Sequence, residues 1–389
     1  MTMDNKISNA AGKSRYMLLD GLRGVAAFMV VWYHVFEGFA TSPVDQKFNH
    51  GYLAVDFFFM LSGFVIGYAY DDRWSKGLTA GEFFRRRLIR LHPMLVLGIL
   101  IGVVAFFVQG SVMWDGTEVS GGMVFLSAAL MLAFIPATPG CVYEVRGNGE
   151  MFPLNGPAWS LFFEYIGNIL YALLLRRLSV RGLAYVVALS GAGLAAFALC
   201  DLSGFGHIGV GWSLGEYNFL GGMLRLTFSF SAGLLMSRVF RPRRIKGAFW
   251  ICSAFIVLLL SMPYIGDGSQ PWANALFDIG CVIVVFPVLV YIGASGEVVG
   301  MTHSLCRFCG ELSYPLYIVH YPLMYLFYAW VWGEGLSFAQ AWPMAAGVFA
   351  GSILLAYMAM KYYDEPVRRR LTERARRRKS RMPVRSEAV

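Results

Sequence analysis

Apolar residues along this chain come in long blocks separated by short polar stretches. Eleven blocks can be counted, at about 18–36, 51–70, 91–109, 122–137, 158–175, 183–200, 217–237, 248–263, 273–293, 311–332 and 341–360. A helix rises 1.5 Å per residue, so about 20 apolar residues cross a hydrocarbon core of ~30 Å. The pattern predicts membrane-crossing helices with no soluble domain of any size. No repeat of 20–50 residues is visible, and no inverted halves with matching broken helices, which argues against a secondary transporter.

Composition agrees with that reading: 57% of the 389 residues are hydrophobic, 15% are charged, and the mean hydropathy is +0.55. A soluble domain carries about 25% charged residues to keep its surface wet. The net charge of +9 is concentrated in clusters, which in a membrane protein report orientation and contact with anionic headgroups, not nucleic-acid binding. Basic residues fill the loops 71–90, 176–181 and 238–246, the leader (Lys6, Lys13, Arg15) and the tail from Arg368 to Arg385. The loops 201–216, 264–272 and 333–340 hold acids but no lysine or arginine.

Eleven strict crossings would place Arg176, Arg177 and Arg181 outside, against the positive-inside rule. If 91–137 makes one net crossing, every strongly basic loop is cytoplasmic. The expected fold is therefore all-α: a polytopic transmembrane helical bundle of about ten crossings plus one short or re-entrant segment, 122–137, with both termini cytoplasmic. Residues 138–157 become an outer loop. Re-entrant backbone is tolerated only under protein or beside a wet cavity, so an internal cavity is expected too. Three parts follow: a cytoplasmic leader 1–15, a membrane domain 16–363 and a basic cytoplasmic tail 364–389 read as a juxtamembrane anchor. No cleavable signal peptide is expected, because the first apolar segment carries Arg23 and His34. The cysteines are scattered and suggest no disulfide framework. A single C-x-x-C, Cys306 and Cys309, is a weak signal for metal or redox work, and no metal site is expected.

Ionisable groups inside spans are costly and mark functional hypotheses. Arg23 and His34 stand eleven residues apart in the first span, about 16 Å along a helix, with His34 toward the outer face. Asp56 lies early in the second span and Glu164 early in the fifth segment, so loop topology puts all three of His34, Asp56 and Glu164 in the outer half. An imidazole titrates near neutrality and a carboxylate can orient it, as general-base chemistry requires. The alternative is that these groups only hydrogen-bond helix to helix. Toward the cytoplasm, Arg85, Arg86, Arg87 and Arg90 gather in about one helical turn, a fork-rich cluster suited to phosphate. Ser313, Tyr314, Tyr317 and His320 recur at helical spacing in the tenth segment, where Pro315 and Pro322 should kink the helix. Those residues read either as an interfacial belt or, for His320 near mid-membrane, as something more.

The ordered blocks Leu19-Asp20-Gly21-Leu22-Arg23-Gly24 with His34, Ala54-Val55-Asp56-Phe57-Phe58-Phe59-Met60-Leu61-Ser62-Gly63-Phe64, Phe84-Arg85-Arg86-Arg87-Leu88-Ile89-Arg90, Trp159-Ser160 through Glu164, Ser313-Tyr314-Pro315 through His320, and Glu365-Pro366 resemble the acyltransferase-3 family of membrane O-acyltransferases. His92 departs from the apolar or variable residue the family pattern leads one to expect. The resemblance implies an acyl-CoA donor, usually acetyl-CoA, taken from the cytoplasm. It implies an acceptor hydroxyl on an exported or lipid-linked carbohydrate at the outer face of the cell (inner) membrane, as in polysaccharide modification. Carried over, Arg23 and His34 form the family's arginine–histidine pair, with His34 the base. Arg85, Arg86 and Arg90 match its donor-site arginines, and Glu164 matches the acid after Trp-Ser. The pantetheine arm would then pass near Arg23 and the Ser313, Tyr314, Tyr317 and His320 face, with Asp56 or Glu164 orienting His34. Acyl-CoA, a glycan or glycolipid acceptor and membrane lipid are the expected partners, and nucleic acid is not. The competing class is a carrier or flippase whose His34 and Glu164 relay protons. No appended periplasmic hydrolase-like domain is expected. Oligomeric state leaves no signature in the chain, and the outer loops 37–50, 138–157 and 201–216 carry no sugar-binding signature. Polysaccharide, lipid A sugar, Nod-factor-like oligosaccharide and macrolide acceptors all stay open, as does the acyl chain length.

Overall fold

The computed structural model describes residues 16–380, so the leader and the end of the basic tail lie outside the described residues. Among the described residues every regular element is helical. In order these are α1 (Met17–Glu37), α2 (Ala54–Trp74), α3 (Ala80–Val108), α4 (Gly121–Leu132), α5 (Ala158–Leu173), α6 (Val180–Leu199), α7 (Glu216–Val239), α8 (Ala248–Leu260), α9 (Pro271–Ile279), α10 (Phe286–Ala294), α11 (Met301–Gly333), α12 (Phe338–Met358) and α13 (Glu365–Ser380). Single π-helical turns, Gly280–Val285 and Ala359–Asp364, fuse α9 to α10 and α12 to α13.

Eight described helical stretches are long and apolar enough to cross a membrane, and α11 runs for 33 residues. The expectation of an all-α polytopic bundle is met. Segment 122–137, set apart by loop charge, is the twelve-residue helix α4, about 18 Å long and too short to span. Large apolar side chains such as Val104, Leu189, Val284 and Leu354 remain exposed on the outside of the bundle. In water that surface would drive aggregation, whereas lipid tails solvate it at no cost.

Two helix contacts place the functional residues. Helix α1 packs along α11, and a Cβ at Gly24 would fall 2.4 Å from the Cys309 carbonyl oxygen, so only glycine permits the approach. Cys306 and Cys309 are free thiols buried in this seam, where their i, i+3 spacing serves packing. The same seam sets His34 of α1 beside His320 and Tyr321 of α11. Helix α2 packs along α7, bringing Asp56 to Arg225.

The loop before α5 does not lie loosely outside. Residues 150–158 are buried, and Leu154 presses its carbonyl against Gly102 of α3, where a Cβ would sit 2.0 Å away. Pro322 cannot donate to the Ile318 carbonyl one turn back in α11, and the Asn155 amide of this loop donates to it at 2.9 Å. The Gly156 amide donates to the Tyr325 hydroxyl at 3.1 Å. With its lead-in thus sunk into the bundle, α5 begins deep.

Candidate active site

Three cavities follow one another through the bundle. The first, about 450 Å³, opens where α1 ends and is lined by His34, Glu37, Tyr33, Tyr52, Glu150, Arg225, Tyr317, Tyr321, Tyr325 and Tyr328, with Trp114, Trp159, Trp212 and Trp332 around it. The second, about 350 Å³, holds Asp20, Arg23, Ser62, Arg87, Arg90, Ser160, Glu164, Ser313 and Tyr314. The third, about 770 Å³, opens where α3 begins and contains Arg85, Arg86 and Arg90 together with residues of α13. Val55 and Tyr317 line both the first and the second, while Arg23, Tyr70, Arg90 and Tyr314 line both the second and the third. At the narrow point the Tyr317 hydroxyl hydrogen-bonds Ser160 at 2.7 Å, and the Phe58 ring stands edge-on to Tyr317.

In the first cavity His34 Nδ1 lies 2.6 Å from Glu37 Oε2, one turn farther along the same helix. Tyr328 directs its hydroxyl at the same carboxylate (3.0 Å) and at the His34 carbonyl (2.7 Å). With Nδ1–H committed to Glu37, Nε2 is left as the proton acceptor of the ring. The acid beside His34 is thus Glu37, not Asp56 or Glu164. The Asp56 side chain points toward α7, where the buried Arg225 guanidinium holds it at 2.7–3.2 Å. Arg225 also donates to the carbonyls of Val210 (2.6 Å) and Tyr52 (2.8 Å), tying the 201–215 loop to α2. Glu164 departs further. Because α5 starts deep, this carboxylate sits in the second cavity, taking Arg87 Nη2 at 2.5 Å and Ser62 at 3.1 Å.

The remaining expected residues divide between the cavities. Arg23 donates through Nε to Ser313 (2.9 Å), pairs with Asp20 (3.1 Å) and faces the second and third cavities. Tyr314 donates to the Leu91 carbonyl at 2.5 Å, and Arg85 and Arg86 stand at the third cavity. Arg90 borders two cavities and has no carboxylate partner among the described residues. His320 is fully buried behind His34, ring centroids 5.4 Å apart, and lines none of the three.

Three groups at this site were not foreseen. Glu37 lay just past the apolar block, although its i, i+3 spacing from His34 was readable. Arg225 lay inside an apolar segment, where any arginine is a signal. Glu150 belongs to the buried loop, where it accepts from the Tyr325 hydroxyl and from Asn148 (2.9 Å), beside Arg146 stacked 3.7 Å over the Tyr325 ring. Burial pushes the Glu150 carboxyl up to about 7, against the opposing pull of Tyr325, Asn148 and Arg146. At the cavity rim, hydrogen bonds from Thr41 and then Ser42 hold the Asp45 carboxyl well below its usual range, fixing the loop after α1. Among the described residues no cluster of ligands could hold a metal ion.

These features define a multi-pass membrane protein whose helical bundle holds three neighbouring cavities that share lining residues. The chain belongs to the acyltransferase-3 family, whose acyltransferase domain matches residues 18–361, and so to the membrane O-acyltransferases. It is 28% identical over 363 residues to the acyltransferase MdmB of Streptomyces mycarofaciens, covering 88% of this chain and 86% of that one. It is 35% identical over 184 residues to protein 2 in the picA locus of Rhizobium radiobacter, 45% of this chain and 91% of that one. A shorter stretch of 88 residues, 22% of this chain and 13% of the relative, is 33% identical to the peptidoglycan O-acetyltransferase OatA of Listeria monocytogenes. No solved structure matches the chain.

Proposed function

We propose that this protein transfers an acyl group, acetyl in the first instance, from cytoplasmic acyl-CoA to a hydroxyl of an exported or lipid-linked carbohydrate at the outer face of the inner membrane. The observation that carries the proposal is the line of three cavities joined through shared walls, with arginines at one end and the His34–Glu37 pair at the other. The positive-inside rule puts the arginine end in the cytoplasm and with it both termini. Guanidinium groups suit the nucleotide phosphates. The thin pantetheine arm then lies along Arg23, Ser313 and Tyr314 and brings its thioester to the neck at Tyr317.

Chemistry at the outer end needs only groups present there. His34 Nε2 takes the proton of the acceptor hydroxyl as the oxygen attacks the thioester carbonyl, while Glu37 holds Nδ1–H and stabilises the imidazolium. Collapse of the tetrahedral intermediate breaks the carbon–sulfur bond, and His34 returns its proton to the leaving CoA sulfur. The acceptor supplies the nucleophile, so no enzyme residue need be acylated. The tryptophans and tyrosines of the first cavity favour a sugar, because the electron-rich faces of aromatic rings attract the C–H face of a pyranose. OatA, named for O-acetylation of peptidoglycan, points to the same acceptor class.

Proteoliposomes loaded with acetyl-CoA, with candidate oligosaccharide outside, test the reading. Free CoA should accumulate inside in step with ester formed outside, and His34→Ala should stop both. Movement of substrate with no free CoA released would identify a carrier and overturn the proposal.

A further inference from the structure

The family match stops at residue 361, and α13 lies beyond it. Its arginines were read from sequence as a lipid anchor, yet one face of the helix forms a wall of the third cavity. Arg368, Arg369, Thr372, Glu373 and Arg376 recur at helical spacing and face that cavity, opposite Arg85, Arg86 and Arg90 of α3. Arg370 and Arg374 are not part of this lining. The π-helical turn Ala359–Asp364 packs against α3 and α11 and fixes the direction in which α13 leaves the bundle.

Seven arginines line this chamber (Arg23, Arg85, Arg86, Arg90, Arg368, Arg369 and Arg376) against five acids (Glu82, Glu311, Asp364, Glu365 and Glu373), so its charges do not balance. Arg85 stands 3.9 Å from Glu82, Arg368 pairs with Asp364 at 2.9 Å, and Glu365 is taken by Lys361 at 2.6 Å. Arg86, Arg90, Arg369 and Arg376 have no carboxylate partner among the described residues. Arg90 also feels the like charges of Arg23, Arg87 and Arg368, with Asp20 opposing them. Such a gathering of guanidiniums from two separate helices around 770 Å³ is stabilised by a multiply charged anion.

We infer that α13 is the second half of the donor site: Arg369 and Arg376 close around the phosphate groups of acyl-CoA that Arg86 and Arg90 hold from the other side. The inference rests on the acyl-CoA reading above. The shared chemistry is a phosphate ester, which a phospholipid headgroup could also offer, so the test separates the two sources.

The full chain is purified in detergent and in nanodiscs of zwitterionic or anionic lipid, and titrated calorimetrically with CoA and with pantetheine, which lacks the phosphates. Arg369 and Arg376 are exposed on a peripheral helix, so the double variant Arg369→Gln/Arg376→Gln should fold. Its dissociation constant for CoA should rise about tenfold, as two charge-assisted contacts weaken in a partly screened site, with pantetheine binding unchanged. Arg370→Gln/Arg374→Gln, from outside the lining, should bind CoA within about twofold of the parent. If the parent binds CoA and the Arg369/Arg376 variant binds it equally well, the inference fails while the donor reading stands. If that variant instead loses only its preference for anionic nanodiscs, the ligand is a headgroup and the inference is likewise overturned. Absence of CoA binding by the parent would remove the donor reading itself, and this inference with it.

Discussion

His34 and Glu37 stand one turn apart on α1, with 2.6 Å between imidazole Nδ1 and carboxylate Oε2. A single helix therefore carries both the proposed base and the carboxylate that holds its Nδ1, and their relation does not depend on how other helices pack. If His34 is the base as proposed, His34→Ala should lower kcat by roughly 10²–10⁴-fold, the usual contribution of general-base catalysis. Glu37→Gln keeps a hydrogen-bonding side chain but removes the charge opposite the imidazolium, and should lower kcat by roughly 10-fold or more while KM for acyl-CoA changes little. Steady-state release of CoA measures both. A Glu37→Gln enzyme with the parent's kcat would remove Glu37 from the mechanism.

Asp56, which the sequence reading sets beside His34, instead pairs with Arg225. Both side chains are fully buried, so truncating one leaves an uncompensated charge. Asp56→Ala should cost about 3–5 kcal/mol of stability, the usual range for breaking a buried pair. The loss would appear as reduced folded protein and a lower unfolding midpoint in detergent. Protein that does fold should keep far more activity than His34→Ala. Equal loss of activity at normal stability would return Asp56 to the chemistry.

The contrast between these pairs shows what the chain disclosed. Block length and loop charge revealed a helical bundle and singled out 122–137, because burial in lipid imposes a composition that no other environment does. Depth along a span can be counted too, at 1.5 Å per residue, and the count puts His34, Asp56 and Glu164 at one level. What counting cannot give is the azimuth, which is decided by helix–helix packing: Asp56, expected to face His34 across the first two spans, faces Arg225 of α7 instead. Glu164 was misplaced for another reason: the count assumed that α5 starts at the membrane surface, whereas the buried run 150–158 starts it deeper. Non-local contacts such as Asn155 on the carbonyl freed by Pro322 leave no local signature.

Arg90, with no carboxylate within ion-pair distance among the described residues, lies at the proposed donor end. Arg90→Gln should raise KM for acyl-CoA by roughly 10- to 100-fold, the value of one or two charge-assisted contacts, and leave kcat within a few-fold. Arg87→Gln differs, because Glu164 at 2.5 Å would lose its partner as well. That variant should combine a raised KM with reduced stability, and Arg87→Gln/Glu164→Gln should recover part of the stability alone. Initial rates against acyl-CoA concentration and unfolding midpoints separate the two cases.

The Tyr317–Ser160 hydrogen bond stands between the second cavity, the proposed donor path, and the first cavity beyond it. A thioester held at an open neck would meet water as readily as an acceptor. Tyr317→Ala should therefore raise acceptor-independent hydrolysis of acyl-CoA several-fold while ester formation falls, consistent with the protection that site closure gives reactive groups. Tyr317→Phe, which loses only the hydroxyl bond to Ser160, should lie between the parent and Tyr317→Ala. Free CoA measured with and without acceptor gives the ratio directly, and an unchanged ratio in Tyr317→Ala would show that the neck is no barrier.

The raised carboxyl of Glu150 ties the stability of the first cavity to pH. Its carboxyl in the folded protein is raised to about 7 from an ordinary 4.5, chiefly by burial. The folded state therefore binds a proton more tightly than the unfolded state. This contribution is fully present below about pH 4.5 and is lost as pH rises through about 7, with a slope of at most ~1.4 kcal/mol per pH unit. Unfolding midpoints in detergent should fall across that window for the parent protein. Glu150→Gln cannot ionise and keeps the Tyr325 and Asn148 contacts in amide form, so its midpoint should change less over the same interval. A parallel decline in both proteins would assign the titration to another group and leave Glu150 ionised in its pocket, held by Arg146 and the Tyr325 hydroxyl.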